Sequence, residues 1–182
     1  MSRLILVRHG RAAAGWDSDH DPGLDDAGRA QAEAMAASVA PRGPRPIVSS
    51  PLRRARETAA ALEQSWGRTA VVEAAVGEIP SPTSDLAERG RWLRQVLQGT
   101  WSAAPAEVVS WRTAVLDWLT SRQADAVIVT HYVLINVAVG AATEDDRLVC
   151  CHPDNCSVTE IDVANGKLSV VQLGDEAVTV VR

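Results

Sequence analysis

The sequence predicts a three-layer α/β/α protein, in which helices cover both faces of a mostly parallel central sheet that ends in an antiparallel C-terminal edge hairpin. Residues 4–7 and 126–129 are uninterrupted aliphatic runs, as expected of strands buried on both faces of a parallel sheet. Helical segments separate such runs, which is the order of βαβ units. Near the C-terminus, Asn165-Gly166 lies between two strand-like segments and predicts the hairpin.

The first strand is followed by a polar loop and then by a helix. The loop is expected over residues 12–23, where glycine, aspartate and proline are frequent. Asp25 is a suitable N-cap for a helix that continues to about Ala40. Four residues are expected on the buried side of this helix: Ala27, Ala30, Ala34 and Val39.

The second strand, expected at residues 46–48, leads into Ser50 and Pro51. Serine at an N-cap and proline at the first helical position predict that the next helix starts there, and it continues to about Trp66. The remaining elements are expected in this order: a strand at 70–72, a loop at 78–82, helices between 85 and 122 with a break at 99–105, a strand at 126–129, a helix, hairpin strands at 157–163 and 167–173, and a last strand at 177–181.

The composition is that of an ordinary globular protein. The chain has 182 residues, 46% hydrophobic and 23% charged, which favours a single domain over residues 1–182. A formal net charge of -5 argues against a nucleic-acid partner, and no stretch approaches the ~20 apolar residues that a membrane span needs. The three cysteines, all within residues 150–156, and an N-terminal run too short for a secretory signal favour the reducing cytoplasm.

Basic side chains follow three of the predicted strands. Arg8 and His9 end the first, Arg53 and Arg54 follow the second, and His131 follows the strand at 126–129. Ligands bind outside the carboxyl ends of strands in open α/β sheets, so these groups are expected to meet there. Arginines in a first helical turn oppose the helix dipole, which favours a bound anion that outweighs this cost. On an acidic chain, this arrangement predicts a local phosphate site.

Four blocks of sequence carry a family resemblance: Arg8-His9-Gly10, Gly28-Arg29-Ala30-Gln31-Ala32, Ser49-Ser50-Pro51-Leu52-Arg53-Arg54-Ala55-Arg56-Glu57-Thr58-Ala59, and Val129-Thr130-His131. In this order, and over nearly the whole chain, they resemble the histidine phosphatase (phosphoglycerate-mutase-like) superfamily. The first and third blocks are the specific ones. The resemblance implies phosphoryl transfer that requires no metal ion and no other cofactor.

The resemblance also implies roles for five residues. His9 is expected to attack phosphorus as a neutral imidazole, with its other ring nitrogen donating to a backbone carbonyl, and to become phosphorylated. Arg8 and Arg54 are expected to bind the phosphate together with protonated His131. Glu78 is expected to protonate the leaving alkoxide and then to activate water, a role that asks for a raised pKa.

Three aspects of this assignment stay open. Asp85 and Glu88, on the following helix, are alternatives to Glu78 as the acid. Tyr132 stands where the family commonly has glycine after its second histidine, so it is expected to reshape one wall of the pocket. Arg11 follows the first block, where it adds positive charge, and is a candidate for contacting a second anionic group of the substrate.

The leading functional prediction is a phosphatase that releases inorganic phosphate from a small phosphorylated metabolite. A phosphoglycerate-mutase-type phosphotransferase is the alternative in another reaction class, although such mutases are usually longer. A phosphohistidine-protein phosphatase is disfavoured by Glu78, since those relatives often lack the carboxylate loop. A non-catalytic phosphate-ligand-binding protein is the fourth interpretation. The segment at 78–105, expected to cap the site, has mixed side chains that select no substrate, and the sequence predicts no oligomeric state.

Overall fold

The computed structural model describes residues 1–177; the last strand expected at 177–181 lies outside this range except for Ala177. Within it, the strands are β1 (Ser2–Arg8), β2 (Ile47–Ser49), β3 (Val71–Val72), β4 (Ala126–Thr130), β5 (Val158–Ala164) and β6 (Lys167–Gln172). The helices are α1 (Asp26–Val39), α2 (Arg53–Trp66), α3 (Leu86–Val96), α4 (Ala106–Thr120) and α5 (Tyr132–Thr143). Short 3-10 turns occupy Ala40–Arg42, Ala74–Val76 and Trp101–Ala103.

The strands form one sheet in the spatial order β3-β2-β4-β1-β5-β6. The first four of these pair in parallel, whereas β5 and β6 are antiparallel to their neighbours, so the predicted sheet and its edge hairpin are confirmed. Arg8 at the end of β1 lies opposite Thr130 at the end of β4, and β2 ends at the same edge. The residues that follow these three strands therefore lie side by side: His9, Ser50 and His131.

The two faces of the sheet bury separate apolar cores, which confirms the three layers. In β1, Leu4 and Leu6 belong to the core shared with α4 and α5, whereas Ile5 and Val7 belong to the core shared with α1 and α2. This is the period-two alternation of a strand covered on both sides. All four side chains are at most 1% exposed. Truncating one of the leucines to alanine in such a core costs about 2–5 kcal/mol of folding free energy.

α1 begins where the sequence predicts but buries a different face. Asp25 accepts a hydrogen bond from the Gly28 N–H at 2.7 Å, which confirms it as the N-cap. Of the four residues expected on the buried side, only Val39 is buried, and Ala30 and Ala34 are exposed. The face that packs consists of Gly28, Ala32, Met35, Ala36 and Val39. Alanine occurs on every side of this helix, so the sequence has little hydrophobic contrast from which the face can be predicted.

The predicted start of α2 is wrong by two residues. The helix begins at Arg53, with Leu52 at the N-cap position and no side-chain cap. The hydroxyl of Ser50 accepts a 3.3 Å hydrogen bond from the Leu52 N–H and lies 2.7 Å from Nε2 of His131. Ser50 contacts a residue that is distant in sequence. Local signals for a helix start therefore do not predict its structural position.

The helical stretch predicted between 85 and 122 is confirmed as two helices, α3 and α4, separated by the turn at Trp101–Ala103. The hairpin is confirmed too, with Asn165 and Gly166 in left-handed conformations at φ values of 52° and 72°. No helix within residues 1–177 has both the length and the apolar character that a membrane crossing demands.

Candidate active site

Four buried polar side chains meet at the carboxyl edge of the parallel strands, and we call them the floor: His9, Arg54, Glu78 and His131. Nε of Arg54 lies 3.1 Å from Nε2 of His9, and its Nη2 lies 3.4 Å from Oε2 of Glu78. The same carboxylate oxygen lies 3.1 Å from Nδ1 of His131. The side chains of Glu78 and His131 are 4% and 0% exposed, so these contacts operate in a medium of low dielectric, where hydrogen bonds between charged groups are strong.

His9 is held as a neutral imidazole with one free lone pair. Its Nδ1 lies 2.8 Å from the carbonyl oxygen of Gly10, a contact in which the ring nitrogen donates. Nε2 therefore carries the lone pair that accepts the hydrogen bond of Arg54. Burial, followed by the charges of His131 and Arg54, lowers the pKa of His9 well below its usual value. At neutral pH this nitrogen therefore keeps an unprotonated lone pair that faces Arg54.

The loop that carries His9 is held by a close backbone approach to α1. A Cβ atom added to Gly10 would lie 2.6 Å from the carbonyl oxygen of Gly28, and one added to Gly28 would lie 2.1 Å from that of Arg11. Only glycine permits such contact at both positions. The Gly10 N–H also donates to Oγ1 of Thr58 at 3.0 Å. The sequence block at 28–32 therefore supports the site through the backbone.

Of the two arginines that begin α2, only Arg54 reaches the floor. Its side chain is 6% exposed. Arg53 lies on the outer side of the helix, where its Nε pairs with Glu57 at 2.7 Å and its N–H donates to Asp21 at 2.7 Å. The choice of Arg54 over its neighbour agrees with the placement expected from the sequence.

Arg8 stands beside the floor and is supported by residues of other elements. Its Nη1 donates to the carbonyl oxygen of Pro153 at 2.9 Å, and its guanidinium carbon lies 5.2 Å from the ring centroid of Tyr132. The hydroxyl of Tyr132 lies 2.8 Å from Nδ1 of His152, which fixes the ring. Within residues 1–177, the buried Nε of Arg8 has no hydrogen-bond partner. Arg8 thus keeps donor capacity for an anion.

The raised pKa expected of Glu78 depends on burial and on the charge of a bound phosphate, whereas cations surround this carboxyl in the ligand-free site. Burial alone raises the pKa of Glu78, but the charge and hydrogen bond of His131 and the charge of Arg54 together lower it below the usual value. Burial lowers the pKa of His131 by more than Glu78 raises it. We therefore describe the ligand-free site at neutral pH as an ionised carboxylate beside a neutral imidazole.

The two alternatives to Glu78 lie away from the floor. Asp85 is the N-cap of α3 and accepts a 2.8 Å hydrogen bond from the Glu88 N–H. Glu88 accepts a 3.0 Å hydrogen bond from the hydroxyl of Thr83. Both carboxylates are exposed, whereas Glu78 is buried against His131. The structure therefore brings only Glu78, of these three, to the other site residues.

A cavity of about 540 Å³ opens above the floor. Its outer wall, which we call the mouth, includes residues from the loop after β1 and from α3 and its C-terminal end: Arg11, Trp16, His20, Arg89 and Leu97. Arg11 does line the cavity, but its Nε lies 2.6 Å from a carboxylate oxygen of Asp25, and its side chain is 61% exposed. Its charge is therefore already paired and solvated.

Asn155 is a site residue that the sequence analysis missed. It lines the cavity, and its Nδ2 donates to the carbonyl oxygen of His9 at 2.9 Å. The residue precedes β5, which pairs with β1, and the Cys156 N–H bonds to the carbonyl oxygen of Arg8 at 2.9 Å. Only the register of this long-range pairing places Asn155 there, and a lone asparagine in a loop gives no local signal.

Within residues 1–177, one group of side chains has the composition of a metal site: His9, Glu78 and His131, whose potential ligand atoms lie within 4.8 Å of one another. A divalent cation at this point would lie against the guanidinium group of Arg54, which already donates to His9 and Glu78. Coulomb repulsion in a buried setting opposes that arrangement. Because the guanidinium group of Arg54 lies among these side chains, the site suits an anion better than a cation.

The sequence model of the histidine phosphatase superfamily (branch 1) matches residues 4–176. The chain belongs to this superfamily. The matched range contains all four floor residues together with Arg8, and the resemblance drawn from the sequence is confirmed at the level of the family.

Individual proteins add detail to the family assignment. The chain is 34% identical over 114 residues to the glucosyl-3-phosphoglycerate phosphatase of Mycolicibacterium vanbaalenii, and the alignment covers 60% of this chain and 47% of that protein. It thus spans about half the length of this curated relative.

Solved structures share the fold across their length. The mycobacterial glucosyl-3-phosphoglycerate phosphatase in complex with VO3 has a TM-score of 0.71 at 24% identity, covering 97% of this chain and 100% of that one. The phosphoserine phosphatase of Entamoeba histolytica in complex with 3-phosphoglyceric acid has a TM-score of 0.74 at 19% identity, covering 96% and 98%. At these identities the likeness concerns the fold.

Proposed function

We propose that the protein is a metal-independent phosphatase that hydrolyses a small phosphorylated metabolite through a phosphohistidine at His9. The observation that carries the proposal is the state of His9, a buried neutral imidazole whose Nδ1 is committed to Gly10 and whose Nε2 faces Arg54. Family membership supports the reaction class, and the relatives are named for phosphorylated small organic acids. A small phosphomonoester is accordingly the proposed substrate.

Substrate binding replaces the contacts that the floor makes with itself. The phosphoryl group takes the position between Arg54 and Nε2 of His9, where the guanidinium group turns its donors to the phosphate oxygens. Arg8 adds the Nε that has no partner within residues 1–177. Phosphoryl transfer asks chiefly for positioning and for stabilisation of charge on the equatorial oxygens, which arginine forks provide.

In the first chemical step, Nε2 of His9 forms a bond to phosphorus as the bond between phosphorus and the leaving oxygen breaks. The leaving alkoxide takes a proton from Glu78. This carboxylate is ionised in the ligand-free site, so it takes up a proton from solvent when the substrate binds. A phosphate dianion beside Glu78 competes for Arg54 and repels the carboxylate, and both effects raise its pKa in the complex.

In the second step, water attacks the phosphohistidine and transfers a proton to the Glu78 carboxylate. The bond between phosphorus and nitrogen breaks, inorganic phosphate forms, and His9 returns to its neutral state. When the anion binds, His131 takes up a proton from solvent and donates a hydrogen bond to the anion. Splitting the hydrolysis in this way replaces one difficult displacement with two easier ones.

The test is hydrolysis of p-nitrophenyl phosphate in the presence of a chelator. We expect turnover by the wild type and a loss of about 10³-fold or more in His9→Ala, since the nucleophile is removed. A denatured wild-type sample quenched during turnover should carry an acid-labile phosphoryl group that the variant lacks. Inorganic phosphate released in step with p-nitrophenol separates hydrolysis from transfer to a second hydroxyl.

Adjacent arginines provide a matched control. Arg54→Ala removes a floor residue and should reduce kcat/KM by about 10²-fold or more, because charge stabilisation of the transition state is lost. Arg53→Ala removes an exposed arginine of the same helical turn and should leave kcat/KM within about twofold. Equal effects of the two substitutions, or full activity of folded His9→Ala, would contradict the proposal.

A further inference from the structure

The mouth contains an arginine, Arg89, that has no role in the reaction proposed for the floor. Arg89, in the first turn of α3, lines the cavity, and its guanidinium carbon lies 5.0 Å from the ring centroid of Trp16. Within the described part of the chain, its Nε is buried and has no hydrogen-bond partner. Leaving such a donor unpaired costs free energy, which a ligand that accepts the hydrogen bond would recover.

Close packing between α3 and the loop after β1 holds Arg89 in this position. A Cβ atom added to Gly90 would lie 3.1 Å from Cβ of Asp17, so α3 packs tightly on the loop that carries Trp16. A cation in the first turn of a helix faces the positive end of the helix dipole. Burial also lowers the pKa of Arg89, despite the charge of Glu78 nearby. The protein itself thus stabilises this charge poorly.

Stacking on tryptophan does not by itself mark a binding residue. Arg112 lies 5.0 Å from the ring centroid of Trp101 and likewise has a buried Nε without a partner within residues 1–177. Trp101 is 3% exposed and belongs to the apolar core, and neither residue lines the cavity. Arg89 differs because its stack faces the space above the floor.

Arg89 is also within reach of a molecule bound at the floor. The guanidinium carbon of Arg54 lies 5.7 Å from the same Trp16 centroid, so the two guanidinium carbons are at most about 11 Å apart. A short carbon spacer suffices to connect a group on Arg54 to a group on Arg89. Arg11 is the other mouth arginine, but Asp25 occupies its guanidinium group.

We propose that Arg89 is a specificity-determining residue that binds a carboxylate of the substrate, carried on a short spacer from the phosphate. A planar carboxylate matches the planar fork of a single guanidinium group. A second phosphate fits less well, since Asp19 and Asp154 also line the cavity and repel a further dianion. The inference rests on the proposed function, because it assigns the phosphate to Arg54.

The test compares two phosphomonoesters that differ only in the second group. In 3-phosphoglycerate that group is a carboxylate, and in glycerol 3-phosphate it is a hydroxymethyl group. We expect the wild type to favour 3-phosphoglycerate by about 10- to 100-fold in kcat/KM, the effect of a charge-assisted hydrogen bond. Arg89→Gln should bring this ratio close to one. The ratio is the readout because any loss at the phosphate position affects both substrates alike.

Two further variants control for packing. Arg112→Gln disrupts a similar stack away from the cavity and should keep the wild-type ratio. Arg89→Lys keeps the charge without the fork and should retain part of the preference. A wild-type ratio near one, or a ratio that survives Arg89→Gln in folded protein, would overturn the inference.

Failure of the proposed function gives a different result. In that case the wild type does not hydrolyse p-nitrophenyl phosphate, and the same pair of compounds is compared by calorimetric titration. Tighter binding of 3-phosphoglycerate to the wild type, lost in Arg89→Gln, would still support a carboxylate site at Arg89. Equal binding of the two compounds, or no binding of either, would overturn it.

Discussion

The floor and the mouth of the cavity are built in different ways. Floor residues follow strands whose backbones are fixed by the sheet, and their side chains are buried and hydrogen-bonded to one another. Mouth residues come from the loop after β1 and from α3, and they are held by stacking and by exposed ion pairs, such as that of Arg11. In the proposed mechanism, the floor contacts the phosphoryl group that all phosphomonoesters share, whereas the mouth contacts the groups that distinguish them.

This difference predicts two kinds of mutational effect. A change in the floor should reduce turnover of every substrate, because the reacting atoms lose a partner. A change in the mouth should alter the choice between substrates and leave the shared chemistry almost intact.

Glu78→Gln should produce the largest effect, and the effect should depend on the leaving group. Removing the proton donor should lower kcat by about 10²–10⁴-fold for an alkyl phosphate, whose alkoxide needs protonation. The loss should be much smaller for p-nitrophenyl phosphate, whose phenolate leaves without a proton. Steady-state kinetics on both substrates provides the measurement, and Glu88→Gln, an exposed carboxylate on α3, is the control. A loss of equal size on both substrates would argue against Glu78 as the acid.

Gly28→Ala should destabilise the protein by about 3 kcal/mol, near the upper end for overpacked sites, because the new Cβ would meet backbone atoms of the loop after His9. The paired change in the mouth is Gly15→Ala, whose Cβ would meet only side-chain atoms, with Oδ1 of Asp17 nearest at 3.2 Å. We expect it to change stability by less than about 0.5 kcal/mol. Urea denaturation of both variants measures the free energies of unfolding. Equal values for the two variants would contradict the predicted difference.

The floor should also make stability depend on pH. The pKa of His9 is lower in the folded state than in the unfolded chain, so only the unfolded chain takes up a proton as the pH falls below about 6.5. The stabilisation is therefore present above that pH and is lost below it. When the pH is lowered from 7 to 5, protonation of this histidine in the unfolded chain should reduce the free energy of unfolding by about 2 kcal/mol. His9→Gln, which does not titrate, should show a correspondingly shallower dependence; an unchanged slope would refute the assignment.

Arg11→Gln should have the smallest effect. Its ion pair with Asp25 is exposed, and such pairs contribute about 0–1 kcal/mol. We expect kcat/KM for both 3-phosphoglycerate and glycerol 3-phosphate to stay within about threefold of the wild type. A selective loss on 3-phosphoglycerate would transfer the carboxylate-binding role from Arg89 to Arg11.

The six strands β1 to β6, most element boundaries and the floor residues were predictable from the sequence. Continuous apolar runs mark buried parallel strands, and parallel strands bring the residues after them to one edge whatever the loops do. The buried face of α1 was not predictable, because alanine on all sides erases the periodic signal. Nor was the place of Ser50, whose hydroxyl contacts His131 across 81 positions of sequence.

The pKa of Glu78 shows most clearly what the sequence predicts and what only the tertiary structure decides. The sequence led to the expectation of a raised pKa beside a bound phosphate, since burial and the phosphate charge both act in that direction. In the ligand-free site His131 and Arg54 outweigh burial and lower the pKa of Glu78. The balance depends on separations of 3.1 Å and 3.4 Å between side chains from different elements, and no local pattern encodes such distances.

By itself, the sequence determined the fold class, the family and the residues that form the floor, because these follow from periodicity and from short motifs at strand ends. Tertiary structure alone decided the protonation of that floor, the support of Arg8 by Tyr132 and the meeting of Arg89 with Trp16. The physical reason is that charge interactions and stacking depend on distances between segments far apart in the chain, which only the packed molecule sets.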